Sequence, residues 1–271
     1  MMPLREMRRL SRAVLLAAHI AFGIILALLV LLLPPLRRRV NRLAAWWLRR
    51  ASAILGLRVL MHGRPAAGPA LFVANHISWV DILVLAHCSE AAFVAKAEIS
   101  DWPVLGWLAS VGGTEFIRRG NLESYRGVHG RLTRRLKAGE ALTVFPEGTS
   151  GHQVKPARFR PRMLQAAVDA GVPVQPVGLY YGAALGLLRR VAFVGDDSFV
   201  THLWRLLQEE PVLAEVSFLP ALSTVSGDVR LLADEAWRAV THALTRLELF
   251  ERESSLVHAE SEYNAELLRA V

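Results

Sequence analysis

The chain has 271 residues, of which 53% are hydrophobic and 21% charged, enough length and apolar content for a buried core in one or two domains. Its single cysteine, Cys88, excludes an intramolecular disulfide and a cysteine-based zinc site. The net charge of +8 is uneven: residues 1–64 hold twelve arginines against Glu6 alone, a balance of +11 that leaves −3 for the rest, and no stretch interleaves aromatics with basic residues as a nucleic-acid face does.

Residues 13–33, AVLLAAHIAFGIILALLVLLL, carry no formal charge. As a helix rising 1.5 Å per residue they extend about 31 Å, against a hydrocarbon layer of roughly 30 Å. A helix satisfies its own backbone in lipid, His19 can stay neutral, and Pro34-Pro35 ends the element. The run is long for a signal peptide, no A-x-A cleavage site follows it, and a soluble core helix is rarely apolar on every side. The segment therefore reads as a membrane anchor, spanning or inserted in one leaflet. Arginines flank it on both sides (Arg5, Arg8, Arg9, Arg12, then Arg37, Arg38, Arg39, Arg42), so charge orients it only weakly. The next stretch, RRRVNRLAAWWLRRASAILGL, places Trp46 and Trp47 among arginines. It reads as a helix lying at the headgroup level. Residues 1–57 are thus an anchor with an interfacial helix.

From residue 58 short apolar runs alternate with amphipathic stretches. Strands are predicted at 70–74, 91–95, 114–117, 141–145, 173–180, 191–194 and 212–219. Helices are predicted at 78–87, 103–111, 121–138, 161–171, 198–208 and 228–249. The alternation predicts an α/β domain over 58–250, with a mixed, mostly parallel sheet flanked by helices and preceded by the membrane-associated helical segment. The acid-rich stretch 251–271 is expected to be a frayed helix or tail.

Two polar motifs leave the ends of predicted strands. LFVAN leads into His76, and LTVFP leads into Glu147. Ligands of open α/β sheets bind beyond the carboxyl ends of strands, so the two motifs are expected to share a pocket. The chain lacks a G-x-S-x-G elbow, a G-x-G-x-x-G turn, a P-loop and an H-E-x-x-H helix. This disfavours serine hydrolases, dinucleotide enzymes, P-loop NTPases and zinc proteases. What remains is His76 with Asp81 five residues on. A carboxylate that fixes the imidazole tautomer and stabilises the imidazolium makes a general-base unit. Ser78 and Cys88 are the nearby nucleophiles, but neither sits in a nucleophile motif. The spacing alone is weak evidence, since a buried structural histidine would look the same. Its companions strengthen it. FPEGTSG (145–151) exposes one carboxylate on a tight turn, GGTEFIRRGN (112–121) pairs glycines with arginines that suit an anionic headgroup, and VPVQPV (172–177) is a Pro-broken strand.

In order, NHISWVD (75–81), FIRR (116–119), FPEGTS (145–150) and VPVQPV (172–177) resemble the four motifs of the glycerolipid acyltransferase family, of the 1-acylglycerol-3-phosphate acyltransferase type. The anchor and the segment VGDDSFVTHLWRLL also look like bacterial members. The resemblance implies transfer of a fatty acyl group from an acyl-thioester, acyl-CoA or acyl-carrier protein, to the sn-2 hydroxyl of 1-acylglycerol-3-phosphate, with neither cofactor nor metal. It implies His76 as the base and Asp81 as its orienting partner. Arg118, Arg119, Glu147, Gly148, Thr149 and Arg160 would bind the acceptor. It also implies a bacterial inner membrane, with the catalytic domain on its cytoplasmic face. Two positions depart from the pattern. Arg118 stands where the family usually has Asp, and Ser150 where many lysophosphatidate enzymes have Arg. Arg118 or Arg160 would then have to compensate, and the E-G-T-S form also resembles relatives that acylate lyso-ornithine lipids. A lipid-directed hydrolase and a non-catalytic lipid-binding scaffold are the readings from other classes. The joint presence of His76, Asp81 and Glu147 argues against the scaffold.

Overall fold

A computed structural model of the chain describes residues 3–118, 122–151, 155–182, 190–193 and 198–269. Helix α1 (Leu4–Leu32) stops one residue before the Pro34-Pro35 pair, and a single turn, α2 (Pro34–Arg37), leads into α3 (Val40–Leu55). Among the described residues α1 is the helix long and apolar enough to cross a membrane, with a mean hydropathy of 2.8 over its most apolar 18 residues. Val14, Leu15, Phe22, Ile25, Leu28 and Leu32 lie exposed along it, a lipid-compatible surface far larger than a soluble face leaves bare.

The opposite face of α1 packs on α3. The His19 and Trp47 rings stack with centroids 4.9 Å apart, and Trp47 Nε1 donates to the His19 carbonyl at 3.1 Å. Gly23 makes this possible, because a Cβ there would come within 2.6 Å of the Trp47 ring. The start of α1 is tied to the domain by arginines. Arg12 donates to the carbonyls of Leu207 and Glu209 at 3.2 and 2.8 Å, and Arg8 pairs with Glu210 at 2.6 Å. The N-terminal basic cluster therefore has protein carbonyls and a carboxylate as partners.

The sheet holds β1 (Leu57–His62), β2 (Leu71–Ala74), β3 (Ala92–Lys96), β4 (Glu115–Ile117), β5 (Leu142–Val144), β6 (Val174–Tyr180) and β7 (Val212–Phe218), in the order β1-β7-β6-β2-β5-β3-β4. Only the β6–β7 junction is antiparallel. The mixed, mostly parallel sheet is as predicted. Between the strands run α4 (Val80–Cys88), α5 (Leu105–Val111), α6 (Leu122–Lys137), α7 (Gln165–Ala170) and α8 (Phe199–Leu206), and α9 (Val229–Arg269) follows β7.

Strand β2 shows why a central strand reads as an apolar run. Phe72 and Ala74 enter the core shared with α3 and α4, through Ala51, Leu55, Val80 and Val84. Leu71 and Val73 enter the opposite core, shared with α6, α7 and α9 through Leu132, Leu136, Ala166 and Ala236. Both faces are covered, as parallel sheets require. Each fully buried Leu or Val contributes about 1.5–3 kcal/mol over exposure.

Three predictions differ from the structure. Strand β1 was not predicted, because it is an edge strand in which Leu57 alone is buried and the outward positions include Arg58 and His62. No strand forms at 191–193, where Val191 and Ala192 are buried and Phe193 gives its amide to the Ile77 carbonyl at 3.1 Å; residue 194 lies outside the described residues. An apolar run this short carries no periodicity that could separate a strand from a buried connection. Finally, the helix predicted at 161–171 is a 3₁₀ turn, Pro161–Met163, followed by the short α7, while α9 runs to Arg269 through most of the stretch read as a frayed helix or tail.

Candidate active site

The two predicted loops meet at the carboxyl ends of β2 and β5. Asn75, directly after β2, is buried and bonds the Leu179 backbone twice: its Nδ2 donates to the carbonyl at 2.9 Å, and its Oδ1 accepts from the amide at 2.7 Å. This side chain replaces a ladder pair and fixes where the chain leaves the sheet. Gly151 closes the second loop onto the first by donating to the His76 carbonyl at 3.0 Å.

Asp81, in the first turn of α4, is fully buried. Its Oδ2 accepts from the amides of Ile77 and Ser78 at 2.7 and 3.0 Å and from His76 Nδ1 at 2.8 Å. Its Oδ1 accepts from the Tyr181 hydroxyl at 2.7 Å. A carboxylate at a helix N-terminus is favoured by the free amides there. Here the same group also holds the imidazole. Since a carboxylate only accepts, His76 Nδ1 carries the hydrogen and Nε2 keeps its lone pair. The ring stacks on Phe145 with centroids 4.1 Å apart, and 19% of the side chain remains exposed, toward a cavity of about 890 Å³.

Arg118, Gly148 and Arg160 line this cavity, as does Ser150, whose hydroxyl donates to the Phe193 carbonyl at 2.7 Å. Arg119 lies outside the described residues. Glu147 and Thr149 do not face the cavity. Thr149 is exposed on the outside of the turn. Glu147 is 9% exposed and turned inward: Oε1 accepts from the His76 amide at 2.8 Å and Oε2 from the Ala157 amide at 2.7 Å. Burial raises its carboxyl above the usual range, against the lowering effect of these two amide bonds. Its geometry is that of a brace between the two loops.

Gly148 sits at φ +78°, and a Cβ there would lie 2.9 Å from Cζ of Arg160. Replacing it by alanine is expected to cost about 1–2 kcal/mol for the left-handed backbone and to push the Arg160 guanidinium aside. A lowered melting temperature together with a raised acceptor KM would show both effects; an unchanged KM would mean that Arg160 keeps its place.

Sequence reasoning missed Lys96, Glu98, Tyr125 and Arg162, which also line the cavity. They come from three separate segments, Lys96 and Glu98 from the end of β3 and the turn after it, Tyr125 from α6 and Arg162 from the turn before α7, so no local pattern joins them. A second, apolar cavity of about 210 Å³ shares Trp79, Ile82, Ile99 and Trp102 with the first and reaches Leu16, Ile20 and Leu48 of α1 and α3. Ser78 and Cys88 line neither cavity. Ser78 is fully buried, and burial pushes the Cys88 thiol up to about 11, so it stays protonated. Among the described residues no group of three His, Cys, Asp or Glu side chains could hold a metal ion.

This geometry has relatives. A sequence model of the family described as Acyltransferase matches residues 58–180. A lyso-ornithine lipid O-acyltransferase of Pseudomonas aeruginosa is 38% identical over 247 residues, 88% of this chain and 94% of that protein. The chain belongs to the acyltransferase family. A second family member, the 1-acyl-sn-glycerol-3-phosphate acyltransferase of Neisseria meningitidis, is 31% identical over 66% of this chain and 71% of its own length. The acyltransferase fold is shared with the crystal structure of the 1-acyl-sn-glycerophosphate acyltransferase PlsC from Thermotoga maritima, at a TM-score of 0.70 and 21% identity over 90% of this chain and 95% of that one.

Proposed function

We propose that this acyltransferase moves a fatty acyl group from an acyl-thioester to a hydroxyl of lyso-ornithine lipid, with His76 as general base and Asp81 as its orienting partner. The observation that carries the chemistry is His76, held through Nδ1 by Asp81, at the wall of a cavity lined by neither nucleophile candidate. His76 takes the acceptor's hydroxyl proton as the oxygen attacks the thioester carbonyl. Asp81 stabilises the imidazolium, which returns the proton to the departing thiolate. The products are an ester and a free thiol, and no acyl-enzyme forms. The apolar cavity beside Trp79 and Trp102 suits a hydrocarbon chain. The donor is acyl-CoA or acyl-carrier protein. The exposed apolar face of α1 holds the enzyme at the bilayer, which we assign to the cytoplasmic face of a bacterial inner membrane.

The motifs taken alone put 1-acylglycerol-3-phosphate first as acceptor. Two observations favour lyso-ornithine lipid. The relative with higher identity is named for that lipid. The cavity is also lined by both signs of charge, Glu98 with Lys96, Arg118, Arg160 and Arg162, while Ser150 supplies no cation. An ornithine headgroup brings a carboxylate and an ammonium, whereas a phosphate brings only negative charge.

Purified enzyme given one thioester and either acceptor should acylate lyso-ornithine lipid at least about tenfold faster, the ratio expected from one good charged contact. Glu98→Ala should narrow that ratio by lowering only the lyso-ornithine rate. A preference for lysophosphatidate in the unmodified enzyme would overturn the choice of acceptor, and mainly free fatty acid as product would point to a hydrolase.

A further inference from the structure

Tyr181 follows the last residue of β6, is fully buried and lines neither cavity. Its hydroxyl is nevertheless the only hydrogen-bond donor among the described residues that reaches Oδ1 of Asp81, at 2.7 Å. The three other donors, including His76 Nδ1, converge on Oδ2. We propose that Tyr181 is a positioning residue for acyl transfer: through a Tyr181–Asp81–His76 chain it sets how the carboxylate is turned and how much of its charge His76 feels. This rests on the general-base reading of His76.

The physical argument has two parts. Asp81 belongs to α4 and Tyr181 to the end of β6, so the bond ties the helix that carries the carboxylate to the sheet that carries the histidine. Without it, one oxygen of a buried carboxylate has no partner, and the group can turn about its Cβ–Cγ bond away from the imidazole. The bond also draws charge toward Oδ1, and in a dry site such chains polarise one another. Less charge is then left on Oδ2 to favour the imidazolium.

Tyr181 itself stays a neutral donor. Burial first, and then the Asp81 charge, push its phenol well above the ordinary range. Of the other charged groups, Glu147 also acts through space on both His76 and Asp81. Glu147, from the turn after β5, accepts from the His76 and Ala157 amides, and Lys96, Glu98, Arg118, Arg160 and Arg162 line the cavity outside His76. His202, on α8, accepts from Trp79 Nε1 at 3.1 Å. Tyr181 acts on the pair by direct contact, through the carboxylate oxygen that does not bind His76.

The test is the pH dependence of kcat/KM for the full-length enzyme in vesicles, with Tyr181→Phe and with 3-fluorotyrosine placed at 181. Removing the hydroxyl returns charge to the side facing His76. The acid limb, which reports protonation of the base, should therefore move to higher pH by about half to one unit, with kcat reduced about 3- to 10-fold. The fluorinated phenol is a better donor and should move the limb the other way while keeping the ring and its packing. A purely structural tyrosine would lower the amount of active protein without moving either limb, so superimposable profiles overturn the proposal. If Tyr181→Phe does not fold, the fluorotyrosine protein decides alone. His76→Ala, assayed alongside, separates the two ideas. Residual turnover at the unmodified level would remove the general-base reading, whereas an inactive His76→Ala with unmoved acid limbs would remove only the role of Tyr181.

Discussion

His76→Ala should lower the turnover of acyl transfer by about two to four orders of magnitude, the range that a positioned general base supplies. The loss should fall on kcat, because the other residues that line the cavity are untouched by this truncation. The variant should still fold. It gives up the stack on Phe145 and one of the four hydrogen bonds to Asp81, while the amides of Ile77 and Ser78 and the Tyr181 hydroxyl still hold the carboxylate. Membrane attachment should also persist, since α1 packs through Trp47 and the Arg8 and Arg12 contacts, all far along the chain from His76. The measurement is the initial rate of product formation in vesicles, set beside the fraction of protein that sediments with them. Near-normal turnover in the purified variant would make His76 a structural residue and end the mechanism proposed above.

Asp81→Asn should be nearly as damaging, by about 10³- to 10⁴-fold in kcat, on the precedent of carboxylate partners in catalytic triads. The amide has two ways to sit. With its oxygen toward Ile77, Ser78 and His76 the tautomer survives, but the negative charge that stabilises the imidazolium is gone. With its NH₂ group toward His76 the ring must accept at Nδ1, which puts the hydrogen on Nε2 and removes the base. Either arrangement also weakens donors that now meet a carboxylate in a site with 0% side-chain exposure. A stability loss of roughly 2–3 kcal/mol is therefore expected. Denaturant unfolding and the pH–rate profile, taken together, separate the two effects. A variant with full activity and reduced stability would mean that Asp81 only caps α4.

These two predictions concern the part of the site that the sequence displays most openly. His76 and Asp81 are five residues apart at the start of one helix, so their contact is a local event that spacing alone can suggest. The same holds for Gly148, whose left-handed turn follows from Pro-Glu-Gly-Thr at a strand end. The sheet was legible for a related reason. Strands β2, β5 and β6 are covered on both faces, and that condition writes itself into the chain as mostly apolar runs, broken by the buried Thr143 and Gln175. β1 left no such trace, because an edge strand buries too little to mark its sequence.

Glu147 teaches the converse. Its motif announces a functional carboxylate, yet its oxygens are turned inward to two backbone amides, one of them belonging to His76 itself. A turn sequence says that a carboxylate is present; which way it points depends on amides 71 and 10 residues away. Tyr181 stands a hundred residues from Asp81 and carries no motif. Glu98 and Arg162 reach the cavity from segments that are unremarkable when read alone.

Legible in the sequence were the length of the apolar first helix, the α/β alternation, the His76–Asp81 unit and the order of the four motifs, because each is set by periodicity or by contacts within a few residues. Only the folded chain shows that α1 lies along α3, that Glu147 braces the loops, and that charges of both signs line one cavity. Those facts depend on which strand ends lie side by side, and that is settled when two cores close on opposite faces of one sheet.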